Sequence, residues 1–137
     1  MRLMGLDLGE RRIGVAVSDP SRVLARGIEV IERRSMEKDL EAIVRLAEEY
    51  EVEAIVVGFP RRLNGTAGEE AKKAEAFAAQ IEAHVGLSVI LWDERLSTVR
   101  AARALAEGGK RKRRLGIDAV AAVVILQDYL DSLERRS

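Results

Sequence analysis

The feature that most restricts the fold is a pair of strand patterns at the start of the chain, joined by only three residues. Arg2–Leu8 is largely apolar, and Arg12–Ser18 alternates β-branched residues with others. A connection as short as 9–11 joins only antiparallel neighbours. A turn at 19–21 and a further strand pattern, Val23–Ile31, complete a predicted antiparallel meander.

Beyond the meander, helical and strand patterns alternate. Ser35 is a predicted helix N-cap, and Gly86 is a predicted helix stop. The predicted elements are a helix from Ser35 to Tyr50, a strand at Ala54–Gly58, a helix at Glu69–His84, a strand at Leu87–Trp92, a short helix from Ser97 or Thr98 to Glu107, and a helix at Ile117–Leu133. Strands connected through helices pair in parallel. We therefore expect one α/β domain, 1–137, with three antiparallel strands followed by two parallel ones and helices on both faces.

Composition excludes several classes of protein. The chain has 137 residues, of which 47% are hydrophobic and 34% charged, which is typical of a globular domain. It has no cysteine, so a disulfide framework and a thiolate metal site are excluded, and a reducing cytoplasm is favoured. The longest apolar run, Ala119–Leu126, is too short to cross a bilayer, so we expect no membrane partner.

Acidic residues stand at positions where the pattern predicts a buried or converging site. Asp7 lies inside an apolar strand, Asp93 and Glu94 end another, and Asp118 opens the predicted last helix. Ligands in such sheets gather outside the carboxyl ends of parallel strands. Carboxylates there suit Mg²⁺, with Mn²⁺ as an alternative, and two such ions about 4 Å apart can hydrolyse a phosphodiester. Taken alone, Asp118 is also explained as a helix cap and Asp93 as a turn residue.

Basic residues are concentrated in predicted loops, although the net charge is zero. A cationic loop near a carboxylate site would offset the repulsion between those acids and phosphate, whereas a solvated loop is the structural alternative. The candidate substrate-binding residues are Arg11, Arg12, Arg61, Arg62, Arg95, Lys110, Arg111, Lys112, Arg113 and Arg114. His84, Trp92, Ser97 and Thr98 are interpreted as structural, in a helix end, the core and caps.

Four motifs in order resemble the YqgF/RuvX family, which comprises bacterial RNase H-like proteins related in fold to Holliday-junction resolvases. The similarity extends over almost the whole chain. The motifs are Leu6–Asp19; Val56–Pro60 with Asn64 and Gly65; Asp93–Thr98; and Asp118–Ala122 with Ile125–Gln127.

The resemblance implies an RNase H-like fold, a cytoplasmic role in maturing the 5′ end of the precursor of 16S ribosomal RNA, and a metal site formed by Asp7, Glu94 and Asp118. Glu94 is preferred because resolvases have a glutamate at the end of the matching strand; Asp93 remains the alternate ligand. Resolvases also tend to carry two acids one turn apart on the last helix, and here Ala121 takes the second position.

Competing functions remain open at this point. A nuclease on structured RNA is favoured over a nuclease on branched DNA, and the protein is expected to be a monomer or a homodimer. A two-fold symmetric cut would require the dimer. The basic run Lys110–Arg114 is also compatible with a nucleic-acid-binding scaffold that has little catalytic activity. An ATP-binding fragment of the actin-like kinase fold is disfavoured, because those enzymes close two domains on the nucleotide.

Overall fold

The computed structural model describes residues 1–9, 11–59, 68–93 and 114–136. Its elements are β1 (Arg2–Leu8), β2 (Arg12–Ser18), β3 (Ala25–Glu32), α1 (Met36–Glu49), β4 (Val52–Phe59), α2 (Glu69–Val85), β5 (Ser88–Asp93) and α3 (Arg114–Arg136). The first two strands and the start of α2 have the predicted bounds, and the other bounds differ from the predicted ones by one to three residues. The predicted short helix that ends at Glu107 lies outside the described residues.

The strands form one mixed sheet in the order β3-β2-β1-β4-β5. β2 pairs antiparallel with both β1 and β3, whereas β4 pairs parallel with both β1 and β5. The predicted fold class is therefore confirmed. Because β1, β4 and β5 run in the same direction, their carboxyl ends lie at one edge of the sheet.

The two faces of the sheet are covered by different helices. On β1, Met4 and Leu6 point to one face, where they pack with buried residues of α1 and α2. Leu3 points to the other face, where it packs with Ile125 and Leu126 of α3. Strand alternation produces this division. Fully burying one such side chain contributes about 1.5–3 kcal/mol to the free energy of folding. The apolar contacts on both faces therefore stabilise the packing of the helices on the sheet.

Helix α3 lies directly on the central strand because β1 has a glycine beneath it. A Cβ atom at Gly5 would stand 2.8 Å from the Leu126 Cβ and 3.2 Å from the Ala122 carbonyl oxygen. Side chains of ordinary size at position 5 would hold the helix away. The absent side chain therefore sets the distance between α3 and the sheet.

The helix boundaries have local causes. The Ser35 hydroxyl accepts a hydrogen bond from the Lys38 N–H at 3.2 Å, so Ser35 is the N-cap of α1, as predicted. Gly86 ends α2 in the left-handed conformation, with φ of 77°.

The predicted start of the last helix is wrong. α3 begins at Arg114, so Asp118 is its fifth residue and is not its N-cap, and Arg114 belongs to the helix instead of the basic loop. Gly116 lies inside α3, since a single glycine costs a helix only about 1 kcal/mol and does not end it. Among the described residues, no helix is long and apolar enough to cross a membrane.

Candidate active site at the carboxyl edge of the sheet

Asp7 is a buried carboxylate near the carboxyl end of the central strand. Asp7 is 4% exposed. It lies on the same face of β1 as Leu3 and Gly5, and α3 covers that face. Burying a charged carboxylate is costly unless other groups compensate it. A position inside a five-stranded sheet is therefore a demanding place for an aspartate.

Both cross-strand neighbours of Asp7 are glycines. Asp7 is in register with Gly14 on β2 and with Gly58 on β4, and Gly58 is in register with Trp92 on β5. Residues in register point to the same face, so no side chain of an adjacent strand stands beside the Asp7 carboxylate. The carboxylate oxygens of Asp7 are donors of the kind that a hard cation such as Mg²⁺ prefers.

The N-terminal end of α3 lies toward the same edge as Asp7. The Gln127 side-chain oxygen accepts from the Ala25 N–H at 2.9 Å, and a Cβ at Gly27 would lie 2.9 Å from the Ala119 Cβ. α3 therefore runs opposite to β3, which is parallel to β1.

α3 crosses β1 where Ala122 and Leu126 approach Gly5. Measured along the helix and along the strand, Asp118 and Asp7 lie at similar distances from this crossing point. Asp7 lies two residues beyond Gly5, roughly 6.6 Å of strand, and Asp118 lies one turn before Ala122, roughly 6 Å of helix. The backbones of these two predicted site residues therefore reach similar positions along the sheet.

The rest of the predicted acidic site is only partly described. Asp93 is the last residue of β5, in register with Phe59, so it belongs to the same edge of the sheet. Glu94 lies outside the described residues, and so do the side chains of Asp93 and Asp118. Among the side chains that are described, no three histidines or acids form a group that could hold a metal ion. The predicted trio thus has one member, Asp7, with a described side chain.

Three of the candidate substrate-binding arginines have described backbones. Arg11 is exposed in the turn between β1 and β2. Arg12 forms an ion pair with Glu32 of β3, with 2.8 Å between Nε and the carboxylate oxygen, so it also ties β2 to β3. Arg114 is the first residue of α3. The remaining candidates lie outside the described residues: Arg61, Arg62, Arg95, Lys110, Arg111, Lys112 and Arg113.

The residues interpreted as structural have structural surroundings where they are described. Trp92 is half-buried against the α3 cluster and meets the Tyr129 ring edge-on, with 5.4 Å between centroids. His84 lies in the last turn of α2, where its Nδ1 is 2.9 Å from the Gln80 carbonyl oxygen. Ser97 and Thr98 lie outside the described residues.

Sequence reasoning missed Arg33, which contacts the turn that follows the Asp7 strand. Its guanidinium donates a hydrogen bond to the Gly9 carbonyl at 2.8 Å and also approaches Asp39 of α1. No periodicity or motif could have indicated it, because its partners are separated from it in the sequence.

Two open grooves lie on the other face of the molecule. Their volumes are about 490 and 430 Å³, and both are lined by Val44 and Glu48 of α1. Neither is lined by a predicted site residue. The candidate site is therefore an edge of the sheet and does not coincide with these grooves.

The fold is RNase H-like and is similar to that of solved Holliday junction resolvases. The RuvC protein of Thermus thermophilus, solved in complex with a Holliday junction substrate, superposes with a TM-score of 0.61 at 18% identity, covering 98% of this chain and 96% of RuvC. The fowlpox virus resolvase, solved with Holliday junction DNA, gives 0.57 at 13% identity, covering 97% and 99%. The chain belongs to the RuvX family, whose sequence model, described as "RuvX: Holliday junction resolvase", matches residues 1–132.

Similar proteins from bacteria match over nearly their whole length. A Clostridium botulinum protein is 46% identical over 137 residues, covering 98% of this chain and all of the relative. A Desulforamulus reducens protein is 48% identical over 134 residues, covering 96% and 98%. Both carry the name "Putative pre-16S rRNA nuclease".

Proposed function

We propose that this protein is a cytoplasmic nuclease that hydrolyses phosphodiester bonds in the precursor of 16S ribosomal RNA, at its 5′ end, with Mg²⁺ bound at the carboxyl edge of the sheet. The observation that carries this proposal is Asp7, a buried carboxylate with glycines on both sides. The names of the bacterial relatives support the substrate. Mn²⁺ has the same preference for oxygen ligands and is the expected substitute.

Asp7, Glu94 and Asp118 are the proposed metal ligands. On β5, Ile90 and Trp92 pack on the α3 face that Asp7 shares, whereas Val89 packs on the opposite face. Strand alternation thus gives the even positions of β5 to the Asp7 face. Glu94 is preferred over Asp93 because of the similarity to resolvases, in which a glutamate ends the matching strand. A bound Mg²⁺ supplies Lewis acidity and neutralises charge on the phosphate.

The chain's own residues have separate tasks in this proposal. The carboxylates hold and orient the metal, and the buried side of Asp7 limits the water that competes for it. The arginines and lysines named above bind the phosphates of the substrate and oppose the negative charge of the carboxylates. No protein nucleophile is needed in a displacement of this type.

The test is a digestion panel with Mg²⁺, in which wild-type protein and Asp7→Asn are given precursor rRNA, single-stranded RNA and a four-way DNA junction. We expect cleavage of the precursor by the wild type and a loss of at least about 10³-fold in Asp7→Asn, because the substitution removes a ligand charge. Glu48→Gln is the matched control, since it removes one carboxylate from the opposite face. Full cleavage by purified Asp7→Asn would contradict the proposal.

A junction-resolving DNA nuclease is the second candidate, favoured by the description of the family model. Ala121 argues against it, since this position is 1% exposed and packs in the α3 core, where resolvases tend to have a second acid. Preferential cutting of the junction by a dimer would establish the resolvase. Metal-independent binding without cleavage of any substrate would instead establish a binding scaffold.

A further inference from the structure

Arg33 is the first residue after β3, and it contacts both end residues of the turn between β1 and β2. Its backbone N–H donates to the Arg11 carbonyl at 2.8 Å, and its guanidinium Nη1 donates to the Gly9 carbonyl at 2.8 Å. Gly9 lies two residues beyond Asp7 along the same chain segment. One residue therefore holds the segment that follows the candidate metal ligand.

The guanidinium of Arg33 is itself fixed by both helices of the opposite face. Its Nε lies 3.5 Å from the carboxylate of Asp39 on α1, and the group lies over the Phe77 ring of α2, 5.2 Å from the centroid. Asp39 is 3% exposed, and it also accepts the Arg34 N–H at 3.1 Å. These contacts leave the guanidinium little freedom, because a planar fork is bound at several points.

Gly9, which accepts the hydrogen bond from Arg33, has little room to move. The Gly9 N–H donates to the Arg12 carbonyl at 2.9 Å, and a Cβ at position 9 would stand 2.8 Å from that carbonyl oxygen. The position of Gly9 is therefore determined by close backbone contacts, and a shift of its carbonyl would be passed back along the chain to Leu8 and Asp7.

We propose that Arg33 is a positioning residue that fixes the β1–β2 turn, and through it the carboxyl end of β1, for the reaction at Asp7. This inference rests on the proposed nuclease function. Misplacement of a reacting group by about 1 Å can lower a rate about 10²-fold. Loss of the Arg33 side chain is therefore expected to lower kcat by about tenfold to hundredfold and to change KM for the nucleic acid little.

Arg33→Met is the test variant, and Arg45→Met is the matched control. Arg45 also forms two ion pairs, with Glu29 at 3.5 Å and with Glu49 at 3.9 Å, but these do not involve the turn. The measurements are amide hydrogen exchange at Gly9 and Arg33, and kcat and KM for the cleaved substrate. Faster exchange at Gly9 together with the fall in kcat, in Arg33→Met only, supports the proposal.

Two conservative variants keep the test decisive if Arg33→Met does not fold. Arg33→Lys retains one cationic donor for the Gly9 carbonyl, and Asp39→Asn retains an acceptor for the Arg34 N–H. Both are expected to give kcat values between those of the wild type and Arg33→Met. Wild-type kcat in variants whose Gly9 exchange has risen would overturn the positioning role, as would unchanged exchange.

Failure of the nuclease proposal would be recognised separately. If the wild type cleaves no substrate of the panel, the effect of Arg33 on the reaction is rejected with the nuclease function. The exchange measurement still reports whether Arg33 holds the turn, because it needs no activity.

Discussion

Asp19 organises the turn between β2 and β3 by accepting several hydrogen bonds. Its carboxylate accepts from the Ser21 hydroxyl and from the N–H groups of Val23 at 2.8 Å and Leu24 at 3.0 Å. These donors favour the charged form and lower the pKa of Asp19 well below its ordinary value of 3.8, the Ser21 hydroxyl having the largest effect. The turn predicted from the sequence at 19–21 is thus a carboxylate-centred turn.

The lowered pKa of Asp19 makes the stability of this turn depend on pH. A depressed pKa in the folded state contributes stability that is present above the unfolded value of 3.8 and is lost as pH falls through the folded value. Asp19→Asn should therefore be less stable than the wild type at pH 7, and the difference should shrink below about pH 3.8. Urea unfolding of both proteins between pH 7 and pH 2 checks this.

Ser21→Ala tests the cause of that pH dependence. It removes the largest contribution to the lowered pKa of Asp19 and leaves the two backbone donors. Ser21→Ala should therefore also be less stable than the wild type at pH 7, by less than Asp19→Asn is, and this difference should also shrink in acid. A difference between the wild type and Asp19→Asn that stays constant with pH would contradict the assignment.

At the level of elements, the contact between α3 and β1 depends on Gly5. The Cβ of an alanine there would lie 2.8 Å from the Leu126 Cβ, an atom close to the helix backbone that no rotamer change can move away. Gly5→Ala should therefore cost about 1–3 kcal/mol of unfolding free energy, the usual range for overpacking. Chemical denaturation at constant pH measures it.

Gly27→Ala is the comparison for Gly5→Ala. Its Cβ would meet the Ala119 Cβ at 2.9 Å, but Gly27 is exposed on the edge strand β3, which can yield outward. We expect a smaller cost than at Gly5. Equal costs at the two sites would show that the central position of β1 is not what makes the contact tight.

The elements that the sequence predicted best are those with a local cause. β1 and β2 have the expected bounds because side-chain alternation and a short turn are both readable along the chain, and Ser35 caps α1 through a bond to a residue three positions away. The predicted start of α3 was wrong because the basic run and Gly116 are typical of a loop. Helices in proteins are stabilised mainly by tertiary packing of one face, which the local sequence does not show.

The candidate site could be predicted only where an acid interrupts an apolar pattern. Asp7 does so, and it is buried as expected. The glycines Gly14 and Gly58 beside it depend on strand register, which the sequence does not specify without the sheet order. Arg33 acts through Gly9 and Asp39, contacts that arise only when β3 and α1 pack together.

At the level of the whole molecule, charge is distributed unequally although 23 basic and 23 acidic residues cancel. The charged side chains that line the grooves of α1 and α2 are four glutamates and one arginine: Glu37, Glu41, Glu48, Glu51 and Arg45. The basic run 110–114 leads into α3, which lies on the opposite face of the sheet. Local potential, not net charge, governs the binding of a polyanion, so we expect a nucleic acid to be attracted to the basic run and repelled by the glutamates of the grooves.

This asymmetry predicts that nucleic-acid affinity depends on particular cations. Replacing Lys110, Arg111, Lys112 and Arg113 by glutamine should weaken binding to duplex and reduce the slope of log K against log salt by up to about 3.6, since each phosphate contact contributes about 0.9. Lys38, Arg45, Lys72 and Lys73 are exposed on α1 and α2, and replacing them makes the same change in net charge. Titrations by fluorescence anisotropy at several salt concentrations would compare the two variants. An equal reduction of the slope in both would mean that net charge alone attracts the nucleic acid, whereas a reduction confined to the first variant assigns binding to the basic run.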